Sequence, residues 1–286
     1  MPTIGFVAGA LSGDAHAAQL AEALRRRQPD LTLAGLGGPA MQRAGVALLD
    51  DLTRTAAIGP FDAARHLGRL RRAARRFEAY LREHRPDLVI LVDFGDFNLP
   101  VIAPMAKRHG LSVLYYISPQ LWAWGGWRLR YVRRYVDRMC VFFRFEESLY
   151  QRAGIPVTWV GHPLIDRGRP SLSREEAAAR FGLNPARLTV GLLPGSREGE
   201  VRRHLPLLLA TARVVAWRMP GVQFLIPKAQ GLCPEVFGTL PVRAGVDLHV
   251  ADGSIDDALQ LMEGAIVSSG TATLEAAVCG VPMVVV

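Results

Sequence analysis

Short apolar segments alternate with longer amphipathic segments along this chain of 286 residues. The apolar segments are rich in Val, Ile and Leu, as buried strands are, and the segments between them have helical spacing. Strands are predicted at 3–9, 32–36, 87–93, 112–117, 138–143 and 157–160 in the first half, and at 188–193, 222–227, 247–250, 265–268 and 282–286 in the second. This alternation predicts an α/β fold whose parallel sheets carry helices on both faces.

Gly and Pro interrupt the pattern between Gly161 and Pro170, which predicts a hinge between two domains, residues 1–165 and 166–286. The chain length also favours two domains, at roughly 150 residues per domain. Ser173 with Glu176 has the pattern of a capping box at a helix start. The last apolar segment lacks the helix that normally covers a parallel strand. We therefore expect the second domain to be incomplete at Val286.

Two predicted strands end in a glycine turn followed by a helix. The first turn reads Leu192-Leu193-Pro194-Gly195-Ser196-Arg197, and the second reads Ser269-Gly270-Thr271-Ala272-Thr273-Leu274-Glu275. Such turns direct backbone N–H groups, and in the first case a guanidinium, to one point, which suits a diphosphate. Either turn alone fits plain turn and cap chemistry equally well. Because ligands bind at the carboxyl ends of parallel strands, the pair predicts a nucleotide-sugar site.

An acidic segment, Asp93-Phe94-Gly95-Asp96-Phe97-Asn98, follows the predicted strand 87–93. A carboxylate in this position usually caps the next helix. It can also take a proton from a sugar hydroxyl as a general base. Weighed on the residues alone, the capping role is favoured for Asp96.

Three of the five tryptophans lie between Ser118 and Trp127, and Arg128, Arg130, Arg133 and Arg134 follow directly. Tryptophan in a loop ordinarily belongs to a core. Beside clustered arginines it also suits an acylated or aromatic substrate, or an anchor at a membrane interface. All three alternatives stay open for this segment.

The net charge of +8 comes from the first half, because residues 1–165 contain 22 Lys and Arg against 14 Asp and Glu, while residues 166–286 contain 12 of each. A predicted helix with arginines from Arg65 to Arg85 holds much of this excess and fits anionic lipid, nucleic acid or a solvated face. No apolar run approaches the ~18 residues of a spanning helix, and the N-terminus is interpreted as a strand and not as a signal peptide. Three scattered cysteines favour the reducing cytoplasm over a disulfide framework or a zinc site.

Several motifs occur together in this chain. They are Ser12-Gly13-Asp14, Gly37-Gly38-Pro39 with Met41, Asp93 to Asn98, Tyr116-Ile117-Ser118-Pro119 with Trp122-Ala123-Trp124, Gly161-His162-Pro163, Leu192 to Arg197 with Glu200, and Ser269 to Glu275. In this combination the chain resembles, from its first strand to its last residue, the lipid-A-disaccharide synthase family of inverting glycosyltransferases. The resemblance implies two Rossmann-like domains of the GT-B type, with parallel sheets facing a central cleft.

The resemblance also implies a reaction and its residues. A 2,3-diacylglucosamine unit passes from UDP to the 6-hydroxyl of a lipid X-type acceptor, 2,3-diacylglucosamine 1-phosphate, and neither cofactor nor metal takes part. Asp96 is then the base, and Arg197 stabilises the leaving UDP. The implied substrate-binding residues are Ser12, Asp93, Asn98, Ser118, Trp122, Ser196, Ser269, Gly270, Thr271 and Glu275. The implied location is cytoplasmic, peripheral on the inner face of the cytoplasmic membrane at an anionic surface, with a homodimer left open.

The chain departs from the family pattern at Ala10, where the family usually has a glutamate. Two other classes of function stay open. One is another GT-B enzyme of UDP-sugars, such as a UDP-N-acetylglucosamine 2-epimerase or the peptidoglycan N-acetylglucosaminyltransferase, and the other is a non-catalytic relative that binds nucleotide or lipid. The tryptophan-rich segment between Ser118 and Trp127 and the acidic segment from Asp93 to Asn98 argue against the other GT-B enzymes. No nucleic-acid motif accompanies the basic helix, so nucleic acid is not an expected partner.

Overall fold

The computed structural model describes residues 1–53, 60–123, 125–166, 170–196, 198–228, 232, 234–237 and 246–286, and of residues 60–66, 234 and 235 it describes the backbone alone. These residues form two compact units, Met1–Pro163 and Leu164–Val286. The boundary expected after residue 165 is close to this division, and residues 167–169 of the expected hinge lie outside the described part.

The first unit is built on a seven-stranded parallel sheet. Its strands are β1 Thr3–Ala8, β2 Thr32–Gly37, β3 Ala47–Asp51, β4 Leu88–Val92, β5 Ser112–Tyr116, β6 Arg138–Val141 and β7 Val157–Trp159, and their order in the sheet is β3-β2-β1-β4-β5-β6-β7. The helices are α1 Ala10–Arg27, α2 Pro39–Arg43, α3 Pro60–His84, α4 Gly95–Phe97, α5 Ala103–Arg108, α6 Leu129–Tyr135 and α7 Arg144–Arg152. A π-helical turn, Asn98–Ile102, joins α4 to α5.

Helices cover both faces of this sheet, as the apolar strands predict. Successive strand residues such as Phe6 and Val7 belong to different apolar cores, because side chains alternate between the faces of a strand. On one face α1 and α2 contribute small residues and Met41. On the other face α3, α5, α6 and α7 bury larger side chains, including Phe77 and Tyr150.

The second unit has a five-stranded parallel sheet. Its strands are β8 Thr189–Leu193, β9 Gln223–Lys228, β10 Asp247–Asp252, β11 Gly264–Val267 and β12 Met283–Val285, in the order β10-β9-β8-β11-β12. The helices are α8 Arg174–Phe181, α9 Glu198–Arg218, α10 Ile255–Leu259 and α11 Thr271–Val278. Buried residues of α9 recur at helical spacing, at Val201, Leu205, Leu208 and Ala212. The predicted capping box forms, since the N–H of Ser173 donates to Glu176 at 2.9 Å and the N–H of Glu176 to Ser173 at 3.2 Å.

The edge strand β3 was not predicted, because its sequence, Ala-Leu-Leu-Asp-Asp, ends in two acids. Arginines of α3 bind this end of the strand. Arg76 forms an ion pair of 3.0 Å with Asp50, and Arg69 donates to the backbone carbonyl of Asp51 at 3.3 Å. Two arginines of the basic helix therefore bind the sheet edge.

Each sheet reverses its direction of winding at one point, between β1 and β4 in the first unit and between β8 and β11 in the second. Chain connections lead away from such a point in opposite directions, and the crevice beyond the carboxyl ends of the two strands is where α/β sheets bind ligands. The motifs after β1 and β4 lie at this point of the first sheet, and the motifs after β8 and β11 lie at this point of the second sheet. Among the described residues, no helix has both the length and the apolar content that crossing a bilayer requires.

Candidate active site

The two glycine turns of the second unit meet at the ends of β8 and β11. The N–H of Ser268 donates to the carbonyl of Leu193 at 2.9 Å, so the strand ends are adjacent. Gly195 has a left-handed φ of 119°. A Cβ there would lie 2.7 Å from the Cβ of Glu200 and 3.3 Å from the Oγ of Ser268. Backbone conformation and close packing both require glycine at this turn.

The start of α9 folds two polar side chains back onto the same turn. The N–H of Ser196 donates to Oε2 of Glu200 at 3.1 Å, and Nδ1 of His204 lies 3.0 Å from the carbonyl oxygen of Pro194. Glu200 therefore accepts a hydrogen bond from the N–H of Ser196, which the sequence predicts to bind a diphosphate. We expect a phosphate at Ser196 to compete with Glu200 for that donor. Arg197, the predicted charge donor, lies outside the described residues.

The turn after β11 leaves the start of α11 accessible. Ser269, Gly270 and Thr271 are exposed, and Gly270 caps the helix without a side-chain hydrogen bond. The hydroxyl of Thr273 donates to the carbonyl of Gly270 at 2.7 Å. N–H groups in the first turn of a helix attract anions. Glu275 is half-buried one turn further along.

In the first unit, non-glycine residues adopt left-handed backbone at the ends of three neighbouring strands. Ala10 follows β1 with a φ of 56°, Asp93 and Phe94 follow β4 with 46° and 51°, and Ile117 follows β5 with 68°. Steric contact between Cβ and the backbone disfavours this conformation, and residues held in it cluster at functional sites. The surrounding contacts must hold these strand ends in place.

Asn98 supplies such contacts at the end of β4. Its Nδ2 donates to the carbonyl of Asp93 at 2.8 Å and lies 3.4 Å from the carbonyl oxygens of Val7 and Val92. The hydroxyl of Tyr115 donates to the same Asp93 carbonyl at 2.6 Å. The side chain of Asn98 is fully buried. The sequence predicts a substrate contact for Asn98, and in this structure its side-chain amide donates to backbone carbonyls, which holds the segment that carries Asp93.

Asp96 lies in the first turn of α4, and its carboxylate pairs with the guanidinium of Arg128. The Asp96 side chain is 70% exposed and that of Arg128 only 8%. Phe94 is the N-cap of α4, and no side chain hydrogen-bonds there. The described partner of Asp96 is thus a cation, not the helix backbone that the capping alternative requires. Sequence reasoning missed Arg128 as this partner, because 32 residues separate the two.

The motif Ser12-Gly13-Asp14 binds the motif Gly37-Gly38-Pro39. Oδ1 of the buried Asp14 accepts the N–H groups of Gly38 at 2.8 Å and of Met41 at 3.1 Å. A Cβ on Gly38 would lie 2.6 Å from Oδ2 of Asp14. Asp14 therefore caps α2 and fixes the turn after β2, while Ser12 is half-buried at the start of α1.

Ser118 belongs to a buried network with α7. Its Oγ donates to Oε1 of Glu146 at 3.0 Å and lies 2.7 Å from the hydroxyl of Tyr150. Glu146 also accepts the N–H of Phe143 at 3.1 Å. Burial raises the pKa of the Glu146 carboxyl and that of the Tyr150 hydroxyl. Of the two predicted substrate contacts here, Trp122 is 49% exposed, whereas Ser118 is buried.

Glu146 was not identified from the sequence, because a glutamate in the first turn of a helix is usually an exposed residue that interacts with the helix dipole.

His162, from the Gly161-His162-Pro163 motif, lies among aromatic rings. The centroid of its ring is 4.6 Å from that of Phe142 and 6.0 Å from that of His16. Burial lowers the pKa of His162. Within the described ranges, no group of three or more His, Cys, Asp or Glu side chains is arranged to hold a metal ion.

Residues 4–286 match the family described as Lipid-A-disaccharide synthetase. The chain belongs to the lipid-A-disaccharide synthase family. Relatives with that name are 44% identical over 283 residues in Geobacter sulfurreducens, covering 99% of this chain and 73% of the relative, and 41% identical over 291 residues in Nitrosococcus oceani, covering 100% and 73%. The relative from Coxiella burnetii (strain Dugway 5J108-111) is 39% identical over 281 residues, covering 98% of this chain and 74% of its own length.

Solved structures of other proteins share the fold. UDP-GlcNAc 2-epimerase from Neisseria meningitidis, bound to UDP-GlcNAc, has a TM-score of 0.68 at 12% identity and covers 100% of this chain and 82% of its own. A ugt transferase from Siraitia grosvenorii in complex with UDP has a TM-score of 0.62 at 16% identity and covers 100% and 81%. At such identities the likeness shows the fold alone, and it confirms the predicted α/β fold of the GT-B type. Family membership confirms the predicted class of enzyme, a glycosyltransferase of lipid A biosynthesis.

Proposed function

We propose that this chain transfers a 2,3-diacylglucosamine unit from UDP to the 6-hydroxyl of 2,3-diacylglucosamine 1-phosphate, giving the β-1,6-linked disaccharide and UDP. The observation that carries the proposal is the match of residues 4–286 to a single family. The strand ends add support, because each step of the reaction finds a group of suitable chemistry there. The donor step concerns the second unit and the acceptor step the first.

The donor diphosphate suits the two turns after β8 and β11. Arg197 supplies positive charge by its residue type, and Gly270 and Thr271 begin a helix whose first N–H groups favour an anion. Negative charge grows on UDP as its bond to the anomeric carbon breaks. Donors fixed in advance therefore stabilise the transition state more than the bound substrate. Glu200 must give up the N–H of Ser196 if that group is to reach a phosphate, and Glu275 is the proposed acceptor for the ribose hydroxyls.

The acceptor hydroxyl needs a base, and Asp96 is the proposed one. Its carboxylate is exposed and oriented by Arg128. In the proposed step the 6-hydroxyl oxygen forms a bond to the anomeric carbon while Asp96 takes the hydroxyl proton. The bond between that carbon and the UDP oxygen breaks, and its electron pair leaves with UDP. A single displacement of this kind inverts the anomeric carbon.

We further propose that the chain works at an anionic membrane surface on the cytoplasmic side, from which both acylated substrates are drawn. Arg71, Arg72, Arg75 and Arg82 of α3 are exposed, in contrast to the pairing of Arg69 and Arg76 with β3. Clustered exposed arginines attract anionic headgroups. Arg65, also in this helix, lies outside the described side chains.

Release of UDP in a coupled assay tests the proposed reaction. We expect UDP only when UDP-diacylglucosamine and diacylglucosamine 1-phosphate are both present. Asp96→Asn should lower the rate about 10²- to 10⁴-fold, the range for loss of a general base, with UDP affinity unchanged. UDP release that does not depend on the acceptor contradicts the proposal. A loss in Asp96→Asn that is confined to thermal stability removes Asp96 as the base.

A further inference from the structure

The segment from Pro119 to Arg128, here called the Trp122 loop, is attached to the acidic segment at both of its ends. At one end Pro119 packs so closely on Gly95 that a Cβ on the glycine would lie 2.9 Å from the Cβ of the proline. At the other end Arg128 pairs with Asp96. Both ends of the Trp122 loop are therefore fixed to the segment that carries the candidate base.

The Trp122 loop and α7 together expose an aromatic pair. The ring of Trp122 meets the ring of Phe145 edge-on, with centroids 5.2 Å apart and an interplanar angle of 88°. Trp122 is 49% exposed and Phe145 54%. Single apolar side chains on a surface are common. Two large rings from separate elements, packed on each other and half open to solvent, form a surface that gains free energy when apolar groups cover it.

Glu146 fixes this pair from beneath. It follows Phe145 directly in α7, it is 3% exposed, and its carboxylate accepts a hydrogen bond from Ser118, which directly precedes the Trp122 loop. A buried carboxylate is costly unless donors surround it. Here the donors come from Ser118 and the N–H of Phe143. One residue thus ties the Trp122 loop to the helix that carries Phe145.

We propose that Trp122 and Phe145 contact an acyl chain of the acceptor, and that Glu146 is the positioning residue that holds the Trp122 loop, through Ser118, for this contact. The inference rests on the proposed function, because that reaction brings an acylated glucosamine to Asp96. An acyl chain attached to the sugar at Asp96 can cover the ring pair, because the Trp122 loop is fixed to the segment that carries Asp96. A bare sugar phosphate leaves both rings exposed.

Steady-state kinetics with two acceptors test this inference. The acceptors are diacylglucosamine 1-phosphate with long acyl chains, in detergent, and the same sugar phosphate with two acetyl groups. The variants are Phe145→Ala, Trp122→Phe and Glu146→Gln. Trp159→Phe is the matched control, because Trp159 is 47% exposed in the same unit and its indole N–H donates to the carbonyl of Phe142 at 2.9 Å.

For the long-chain acceptor we expect KM to rise about 5- to 20-fold in Phe145→Ala, as loss of one partly covered ring produces. A rise of about 2- to 10-fold is expected in Glu146→Gln, the size of one weakened hydrogen bond, and in Trp122→Phe, whose smaller ring covers less of the acyl chain. KM for the diacetyl acceptor and kcat should stay within about twofold. The effects of Phe145→Ala and Glu146→Gln should not be additive, because both act through the same pair. Trp159→Phe should behave as the unaltered chain.

Equal loss of kcat/KM for both acceptors, or a lowered Tm with unchanged kinetics, overturns the inference and leaves the network a structural one. Altered sedimentation with anionic vesicles, without a change in the preference for long chains, means that the pair meets the bilayer instead. Fluorescence quenching separates the inference from the reaction. An acceptor with brominated acyl chains should quench the unaltered chain and Trp159→Phe more than Trp122→Phe, whether or not disaccharide forms, and equal quenching of all three contradicts the contact.

Discussion

Replacing Asn98 with leucine tests how the acidic segment is held, because leucine keeps the number and branching of the side-chain heavy atoms and removes the amide. The strongest interaction that the substitution removes is the 2.8 Å hydrogen bond to the carbonyl of Asp93, since the other two donor distances are 3.4 Å. Oδ1 of Asn98 accepts no hydrogen bond within the described part of the chain, so leucine deprives no donor there of its acceptor. The Asp93 carbonyl keeps the hydroxyl of Tyr115 at 2.6 Å.

The size of the destabilisation in Asn98→Leu depends on the Tyr115 hydroxyl, which still donates to the Asp93 carbonyl. A buried hydrogen bond whose acceptor stays satisfied contributes about 0.5–1.5 kcal/mol. Asn98→Leu should therefore lower the free energy of unfolding by about 0.5–1.5 kcal/mol, and Tyr115→Phe by a similar amount. The double variant leaves the Asp93 carbonyl without either donor, which adds a desolvation penalty of about 1–3 kcal/mol. The destabilisation of the double variant should exceed the sum of the two single effects by about 1 kcal/mol or more.

Activity should respond more than stability. Asp93 and Phe94 have left-handed φ values of 46° and 51°, and each such residue stores about 1–3 kcal/mol. When Asn98 no longer holds them, the segment relaxes and Asp96 moves from its place. We expect kcat to fall about 10- to 100-fold, as small displacements of a reacting group produce, with KM for the UDP-sugar unchanged.

Urea unfolding of the unaltered chain, the two single variants and the double variant gives the changes in stability. The UDP-release assay on the same proteins gives kcat and KM. Additive effects on stability would refute the shared-carbonyl argument. A rise in KM with unchanged kcat in Asn98→Leu would mean that the residue contacts substrate, as the sequence predicts, and does not position the backbone.

Three further predictions concern the donor site and the membrane. Arg197→Ala should lower kcat about 10²- to 10³-fold, the effect typical of removing one transition-state charge donor, and near-normal turnover in the UDP-release assay excludes Arg197 from the diphosphate site. Glu275→Ala should weaken UDP binding by roughly 1–3 kcal/mol, because a ribose hydroxyl loses its acceptor, and calorimetry that gives equal affinity removes that role. Replacing Arg71, Arg72 and Arg75 with Gln should reduce sedimentation with anionic vesicles at low salt, since each arginine near such a surface contributes about 1 kcal/mol. The matched pair Arg69→Gln and Arg76→Gln should lower stability more than vesicle binding, and equal effects of both sets would reduce α3 to a solvated face.

Periodicity and turn chemistry were sufficient to predict most of the fold. Buried parallel strands such as β4 are continuous apolar runs, which a sequence displays directly. The strand β3 escaped prediction because its acidic end is held by Arg76, which pairs with Asp50, and by Arg69, which binds the backbone carbonyl of Asp51, and both arginines follow later in the chain. A local pattern does not contain those contacts.

The candidate site was predictable as a set of motifs, but the partners of its residues were not. The pairing of Asp96 with Arg128 spans 32 residues, and the bond from Ser118 to Glu146 spans 28. Both arise because parallel strands bring distant segments to one edge of a sheet. Asp14 illustrates the same point, since its carboxylate caps α2 across 24 to 26 residues of sequence.

The central claim is that this chain joins two acylated glucosamines. Tandem mass spectrometry of the products formed from isotopically labelled UDP-diacylglucosamine and unlabelled diacylglucosamine 1-phosphate tests it most directly. We predict a disaccharide monophosphate with the label confined to the sugar that lacks the phosphate, and one UDP for each disaccharide. Label that stays in the UDP-sugar or in an epimer of it, with no disaccharide, would contradict the account.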